Sequence, residues 1–190
     1  IIPTYNRFSC LIDSIKSVLN QTYENFEIIV INDCSKQKEY YNFDFHQLSK
    51  KIKIIHLKTN SKNKFGHVCA GYVRNMGIKE AKGKYLAFLD DDDIWFPKKI
   101  ENQLKKMELH NCMISCTEGL MGKERFDPKK KYGKYLNEVC FEGVKHKFKK
   151  HGVDLTYGFS NIWNLNFINI HNCVITSSVI VNKNLIEKIG

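Results

Sequence analysis

Four consecutive aspartates, Asp90 to Asp93, follow the apolar run "YLAFL" (85–89) in a chain whose formal net charge is +10. Neighbouring carboxylates repel, and each raises the pKa of the next unless a positive charge sits among them. Carboxylates at the end of an apolar strand suit a hard divalent cation. Mg²⁺ or Mn²⁺ takes one or two of them and fills its remaining positions with water and substrate phosphate. Alternating side-chain directions send Asp90 and Asp92 one way and Asp91 and Asp93 the other, so that one pair faces metal and nucleotide while the other caps the next helix. Asp93, four residues before Pro97, takes the structural part, because short acidic side chains favour turns and helix starts. A polar turn opening a helix is the plain alternative, but four acids exceed what capping requires.

Three further groups carry chemistry. "PTYNR" (3–7) offers a ring, hydroxyls and a guanidinium within five residues. Tyr5 suits stacking on a base and Arg7 suits a phosphate, while Thr4 or Asn6 is expected to cap a helix beginning near Phe8. In "NDCS" (32–35), Asp33 is placed to accept from a base or ribose, or else to serve a turn. In "YVRNMGIKEAKG" (72–83), Arg74 lies in the N-terminal half of a predicted helix and is a candidate phosphate partner.

These groups need a scaffold, and the flanking sequence describes one. "EIIVIN" (27–32), "KIIHL" (53–57) and "YLAFL" (85–89) are short buried-strand runs. Phe8, Leu11, Ile12, Ile15, Val18 and Leu19 recur at helical spacing, as do Ile100, Leu104 and Met107 after Pro97, which suits a first helical turn. Gly77 and Ala81 are small at helical spacing and permit close packing on a sheet. Strands alternating with helices predict an α/β fold with a mixed, mostly parallel central sheet flanked by helices. Such sheets bind ligands beyond the carboxyl ends of their strands, and "PTYNR", "NDCS" and "DDDD" all fall there. "NCMISCTEG" and "CVITSSVIVNK" (173–183) are read as later strands, and "NLIEKIG" as the start of a helix.

Length and pattern predict one domain in two halves, residues 1–110 and residues 111–190, truncated at both ends. Seven cysteines without a repeated CxxC spacing point to reduced thiols and the cytoplasm rather than to disulfides or zinc. No run reaches the ~18 apolar residues of a membrane span. Residues 122–151 hold ten Lys/Arg against four Asp/Glu and are read as a solvated, lysine-rich surface loop. An anionic acceptor, a membrane surface or a nucleic acid is the sharper alternative.

Together, "IIPTYNR", "SVLNQTYENFEIIVINDCS" (17–35), "RNMGIKEAKGKYLAFLDDDDIW" (74–95) and "VITSSVIVNKNLIEKIG" (174–190) resemble the family 2 glycosyltransferases of GT-A fold. The resemblance implies sugar transfer from a nucleotide-sugar donor to a hydroxyl with inversion, assisted by Mn²⁺ or Mg²⁺. The acceptor would be a glycan, a protein or a lipid-linked sugar, and no nucleic acid is expected as partner. It places Pro3, Thr4 and Tyr5 around the nucleobase, Asp33 on the base and Arg74 near the nucleotide. Asp90 and Asp92 fit the DxD frame as metal ligands, with Asp92 the more direct. Asp91 becomes a ribose or phosphate contact, and Trp95 borders the acceptor. UDP is favoured from Tyr5 and Asp33, with dTDP or GDP placing similar demands on those residues. Cys34 stands where the family commonly has glycine. The family's catalytic base follows a segment like "LIEKIG", so it is expected beyond Gly190, with Glu118 and His171 as substitutes within the chain.

Two other classes stay open. A GT-A-like nucleotidyltransferase would carry a glycine-rich loop after the first strand, and "IIPTYNRFS" has no glycine. A basic nucleic-acid-binding module would need the lysines and none of the aspartates.

Overall fold

Strand β2 (Ile28–Asn32) is buried along its whole length, as expected of a strand covered on both faces of a parallel sheet. It pairs in parallel with β1 (Ile2–Thr4) and β3 (Ile52–His56), setting Val30 beside Ile2 on one side and Ile54 on the other. The computed structural model describes residues 1–156, 158–163, 167–168 and 174–189.

β4 (Tyr85–Ala87) extends this sheet beyond β1. The Ile1 nitrogen donates to the Ala87 carbonyl at 2.8 Å, and the Leu89 N–H donates to the Ile1 carbonyl at 3.1 Å. β8 (Ile180–Asn182) then runs antiparallel between β4 and β5 (Ile114–Ser115). The sheet is therefore mixed, parallel through β3, β2, β1 and β4 and antiparallel at its β8 and β5 side.

Alternate residues of β2 feed two cores. Ile28 and Val30 join Leu11, Ile15 and Val18 of α1 (Phe8–Leu19) and Ile100, Leu104 and Met107 of α5 (Lys99–Leu109). Ile29 and Ile31 join Val73 of α4 (Ala70–Glu80), with Leu185 and Ile186 of α7 (Lys183–Ile189) against the same cluster. Each such side chain removed from water contributes about 1.5–3 kcal/mol. Gly77 lets α4 approach the sheet: a Cβ there would lie 2.5 Å from Ile1 Cγ2 and 3.4 Å from Ile31 Cγ1.

The boundaries differ from the sequence reading in three places. Pro97 precedes α5 rather than sitting in its first turn, with Lys98 at the cap. Residues 176–178 form a 3₁₀ turn, so the late strand is confined to Ile180–Asn182. Residues 111–116 and 176–189 pack with the first 110, since the chain divides into a unit of Ile1–Cys116 with Thr176–Gly190 and a unit of Thr117–Ile175.

The second unit contains a hairpin of β6 (Gly119–Met121) and β7 (Gly133–Tyr135), followed by α6 (Asn137–Lys150). The lysine-rich segment is thus not a loop over its second half. Asn137, Phe141, Val144 and Phe148 recur every three or four residues and give α6 one inward face. Lys147, Lys149 and Lys150 occupy its last turn, where positive charge complements the helix dipole. Phe141 is fully buried and stacks on Phe167, with ring centroids 5.0 Å apart. Among the described residues no helix is long and apolar enough to cross a membrane, and Cys10, Cys34, Cys69, Cys112 and Cys140 are thiols outside any disulfide.

Candidate functional site

The two bonds at Ile1 begin a parallel ladder between β1 and the β4 segment, and the next donor on β1 would be residue 3. Pro3 has no N–H to give. On its other side β1 stays zipped to β2, the Asp33 N–H donating to the Thr4 carbonyl at 2.9 Å. Beyond Leu89 the link to β1 passes through side chains, and a crevice of about 480 Å³ lies at the carboxyl ends of the strands.

Pro3, Thr4, Tyr5 and Arg7 line it from the first strand, and Asp33 from the second. Arg74 lines it from α4, and Asp90, Asp91 and Asp92 from the turn after β4. Every sequence-predicted donor-side residue reaches this crevice, and Trp95, expected at the acceptor side, does not line it. Trp95 is 8% exposed, packs in the α1/α5 core, and donates its indole N–H to the Ser177 carbonyl at 2.7 Å.

The acidic run is a turn rather than a continuing strand, closed by the Asp93 N–H donating to the Asp90 carbonyl at 3.1 Å. Two elements clamp it. From α1, the Ser14 hydroxyl lies 2.7 Å from the Asp93 carbonyl and 3.0 Å from that of Asp91. From the segment before β8, Ser177 Oγ accepts from the Asp90 N–H at 2.9 Å. Ser177 also bonds the Asp93 side chain, whose carboxyl is nonetheless pushed up by burial.

The charge puzzle of the four aspartates has an answer within the chain. Arg74 pairs with Asp90 Oδ1 at 2.5 Å, and Arg7 Nη1 pairs with Asp92 Oδ2 at 2.5 Å and Asp91 Oδ1 at 3.3 Å. The positive charge implied by the cluster is therefore supplied by two arginines. These carboxylates in turn raise the Arg7 pKa, Asp92 most strongly and then Asp91.

Asp91 is the buried member. Thr4 Oγ1 donates to its Oδ2 at 2.7 Å, and the Tyr5 N–H approaches the same oxygen at 3.4 Å. Since the Thr4 hydrogen points at Asp91, the hydroxyl of Tyr40, from the short helix α2 (Glu39–Asn42), donates to Thr4 from 2.6 Å away. Tyr40 in turn accepts from the Arg7 N–H at 3.0 Å. Burial still raises the Asp91 carboxyl above the ordinary range, against the opposing effects of the Thr4 bond and Arg7. Thr4 is thus a support for Asp91, and the cap expected of Thr4 or Asn6 is absent. The Phe8 N–H is satisfied by Gln37 Oε1 at 3.0 Å, while Asn6 Oδ1 accepts from the Lys36 N–H at 2.7 Å.

Asp33 is held by the start of α3 (Ser61–Phe65). Its Oδ1 accepts from the Ser61 N–H at 2.8 Å, and its Oδ2 from Ser61 Oγ at 2.7 Å and Asn60 Nδ2 at 3.1 Å. A carboxylate has about four acceptor positions, so three bonds fix the group and leave room for one more. Tyr40, Asn60, Ser61, Ser14 and Ser177 were not flagged in the sequence. Their signal is tertiary, since lone polar residues in helices or loops show nothing locally.

Asp90 and Asp92 keep one oxygen each outside these pairs, and their side chains are 36% and 51% exposed. Hard, half-exposed carboxylate oxygens beside a crevice fit Mg²⁺ or Mn²⁺ bound through two protein ligands with water and phosphate. Among the described residues no group of three His, Cys, Asp or Glu side chains converges to hold a metal unaided. Glu118 accepts from the Asn137 N–H at 3.0 Å and so serves the start of α6. His171 lies outside the described residues.

This sheet, with a polar crevice where its strands end, is the GT-A glycosyltransferase fold. The chain belongs to glycosyl transferase family 2, whose family model matches residues 1–180. It is 43% identical over 143 residues to a Rickettsia bellii protein described as an uncharacterized glycosyltransferase, covering 75% of this chain and 19% of that one. It is 34% identical over 152 residues to Escherichia coli WfaP, a UDP-Glc:alpha-D-GlcNAc-diphosphoundecaprenol beta-1,3-glucosyltransferase, covering 74% of this chain and 57% of that one. The solved structure of S. aureus TarS 1-349 in complex with UDP aligns over 60% of this chain and 32% of that one, with a TM-score of 0.52 and 25% identity. The matched region is about a fifth of the length of the relatives from Rickettsia bellii, Rickettsia conorii and Rickettsia felis.

Proposed function

We propose that the crevice binds the nucleotide diphosphate of a UDP-sugar and that the protein transfers the sugar, with inversion, to a hydroxyl of a lipid-linked acceptor. The observation that carries this reading is the convergence of Tyr5, Asp33, Arg74 and the acidic turn in one crevice at the carboxyl end of a parallel sheet. The UDP of the TarS complex and the UDP-Glc in the WfaP name support the choice of nucleotide. The diphosphoundecaprenol in the WfaP name supports the choice of acceptor class.

Each residue then has a part. Tyr5, 42% exposed, presents its ring for stacking on the base. Asp33 takes one base N–H with its remaining acceptor position. Arg74 and Arg7 pair with phosphate oxygens, where a guanidinium binds in a fork. Asp92 and Asp90 hold a divalent cation, which when bound neutralises charge on the departing diphosphate. The acceptor oxygen attacks the anomeric carbon from the face opposite the phosphate. The new carbon–oxygen bond forms as the bond to phosphate breaks, and the acceptor proton passes to a general base. Asp90 and Asp92 are assigned to the cation, Asp91 is engaged by Thr4 and Asp33 by the start of α3, so none of them is offered as that base.

Calorimetric titration with UDP, GDP and dTDP, each with and without Mn²⁺, tests the donor reading. Tightest binding by UDP is expected; binding of none of the three would remove it.

A further inference from the structure

Arg7 is fixed at one end and loose at the other. Its backbone N–H is anchored on the buried Tyr40 hydroxyl at 3.0 Å, and it stands at the first boundary of α1. Its side chain is 55% exposed, and its guanidinium bridges Asp91 Oδ1 and Asp92 Oδ2. Asp91 is held in place by Thr4 and Tyr5 whether or not Arg7 is there. Asp92, 51% exposed, has Arg7 as its charged partner. A half-exposed ion pair of this kind is worth little on its own and exchanges readily for a better partner.

We propose that Arg7 is a latch on Asp92 that makes divalent-cation binding depend on the nucleotide. The inference rests on the reading that this crevice takes a nucleoside diphosphate and a divalent cation. Asp90, Asp91 and Asp92 face two guanidiniums, those of Arg7 and Arg74. A dication entering alone would have to displace or adjoin positive charge at both of its carboxylate ligands. A diphosphate changes the balance, because Arg7 can leave Asp92 for phosphate oxygens and open the carboxylate as it does so. Arg7 thereby couples the two ligands, and the coupling is reciprocal: whatever factor UDP gives to Mn²⁺ affinity, Mn²⁺ gives to UDP.

Free Mn²⁺ measured by electron paramagnetic resonance, in titrations of the wild-type chain, Arg7→Gln and Arg7→Lys with and without UDP, tests this directly. The wild type is expected to bind Mn²⁺ weakly alone and about tenfold or more tightly with UDP. Arg7→Gln is expected to bind Mn²⁺ without UDP several-fold more tightly than the wild type, with a smaller gain on adding UDP, and Arg7→Lys to fall between. Circular dichroism establishes that the variants are folded, and Arg7→Lys carries the comparison if Arg7→Gln is not. If the folded variants bind Mn²⁺ alone no better than the wild type while UDP still promotes wild-type binding, the latch is overturned and the site reading stands. If the wild type takes up no Mn²⁺ in either condition, the site reading falls and the latch falls with it.

Discussion

The Thr4 hydroxyl donates to Asp91 Oδ2 at 2.7 Å across 87 residues of sequence, joining the end of the first strand to the acidic turn. Tyr40 donates to Thr4 behind it, so a three-residue chain of hydrogen bonds sets the floor of the crevice. Replacing Thr4 by valine keeps the shape and takes one hydrogen bond from each of two buried polar groups, the Tyr40 hydroxyl and the Asp91 carboxylate. Thr4→Val is expected to lower stability by about 1–3 kcal/mol, with Thr4→Ser close to the wild type. Urea denaturation of the three proteins measures this; equal stability of Thr4→Val and wild type would show that the chain of bonds is not stabilising.

Lys99 lies against the core with its ammonium 4.1 Å from the Trp95 ring centroid and no hydrogen-bond partner among the described residues. Burial lowers its pKa from 10.5 to about 7. Between these two values the unfolded chain holds a proton that the folded chain releases, so this lysine makes stability rise as pH climbs from 7 towards 10.5. Lys99→Met removes the effect and is expected to raise stability by up to about 4 kcal/mol at pH 7, the gain fading as pH approaches 10. Thermal melts of both proteins across that range check the slope, and a gain that does not change with pH would refute the assignment.

Cys34 has φ +59, in the left-handed region, at the turn position where the sequence resemblance leads one to expect glycine. A side chain there costs about 1–2 kcal/mol in backbone strain, partly offset by the lower entropy of a non-glycine chain when unfolded. Cys34→Gly is accordingly expected to raise stability by about 0.5–1 kcal/mol. Chemical denaturation at fixed pH measures it, and a loss of stability would mean that the Sγ contact with the Lys58 carbonyl, at 3.8 Å, outweighs the strain.

The parallel part of the fold is readable in the sequence because its signals are local. β2 is a bare apolar run, and α1 and α5 carry their inward residues at helical spacing, so strand and helix positions emerge within a residue or two. The rule that ligands bind beyond strand ends then groups Tyr5, Asp33, Arg74 and the acidic turn from pattern alone. What stays hidden depends on distant partners. The acidic run suggests a cation but not that two guanidiniums also pair with it, Arg7 and Arg74 reaching it from sites 85 and 16 residues away. The family resemblance implies a place for Trp95 at the acceptor side, whereas its side chain packs in the core and donates to the Ser177 carbonyl. α6 is concealed by composition, since its lysines read as a solvated loop while Phe141 and Phe148 supply the periodic face.

Asp92 is assigned to the metal and, with its side chain 51% exposed, can be changed without disturbing the fold. The decisive measurement is the calorimetric affinity of UDP for the wild type and Asp92→Ala, each with and without Mn²⁺, with melting temperatures recorded alongside. Mn²⁺ is expected to strengthen UDP binding by about tenfold or more in the wild type, with the gain lost in Asp92→Ala at an unchanged melting temperature. An equal Mn²⁺ gain in the folded Asp92→Ala protein would contradict the assignment of Asp92. Failure of the wild type to bind UDP at all would contradict the donor site itself.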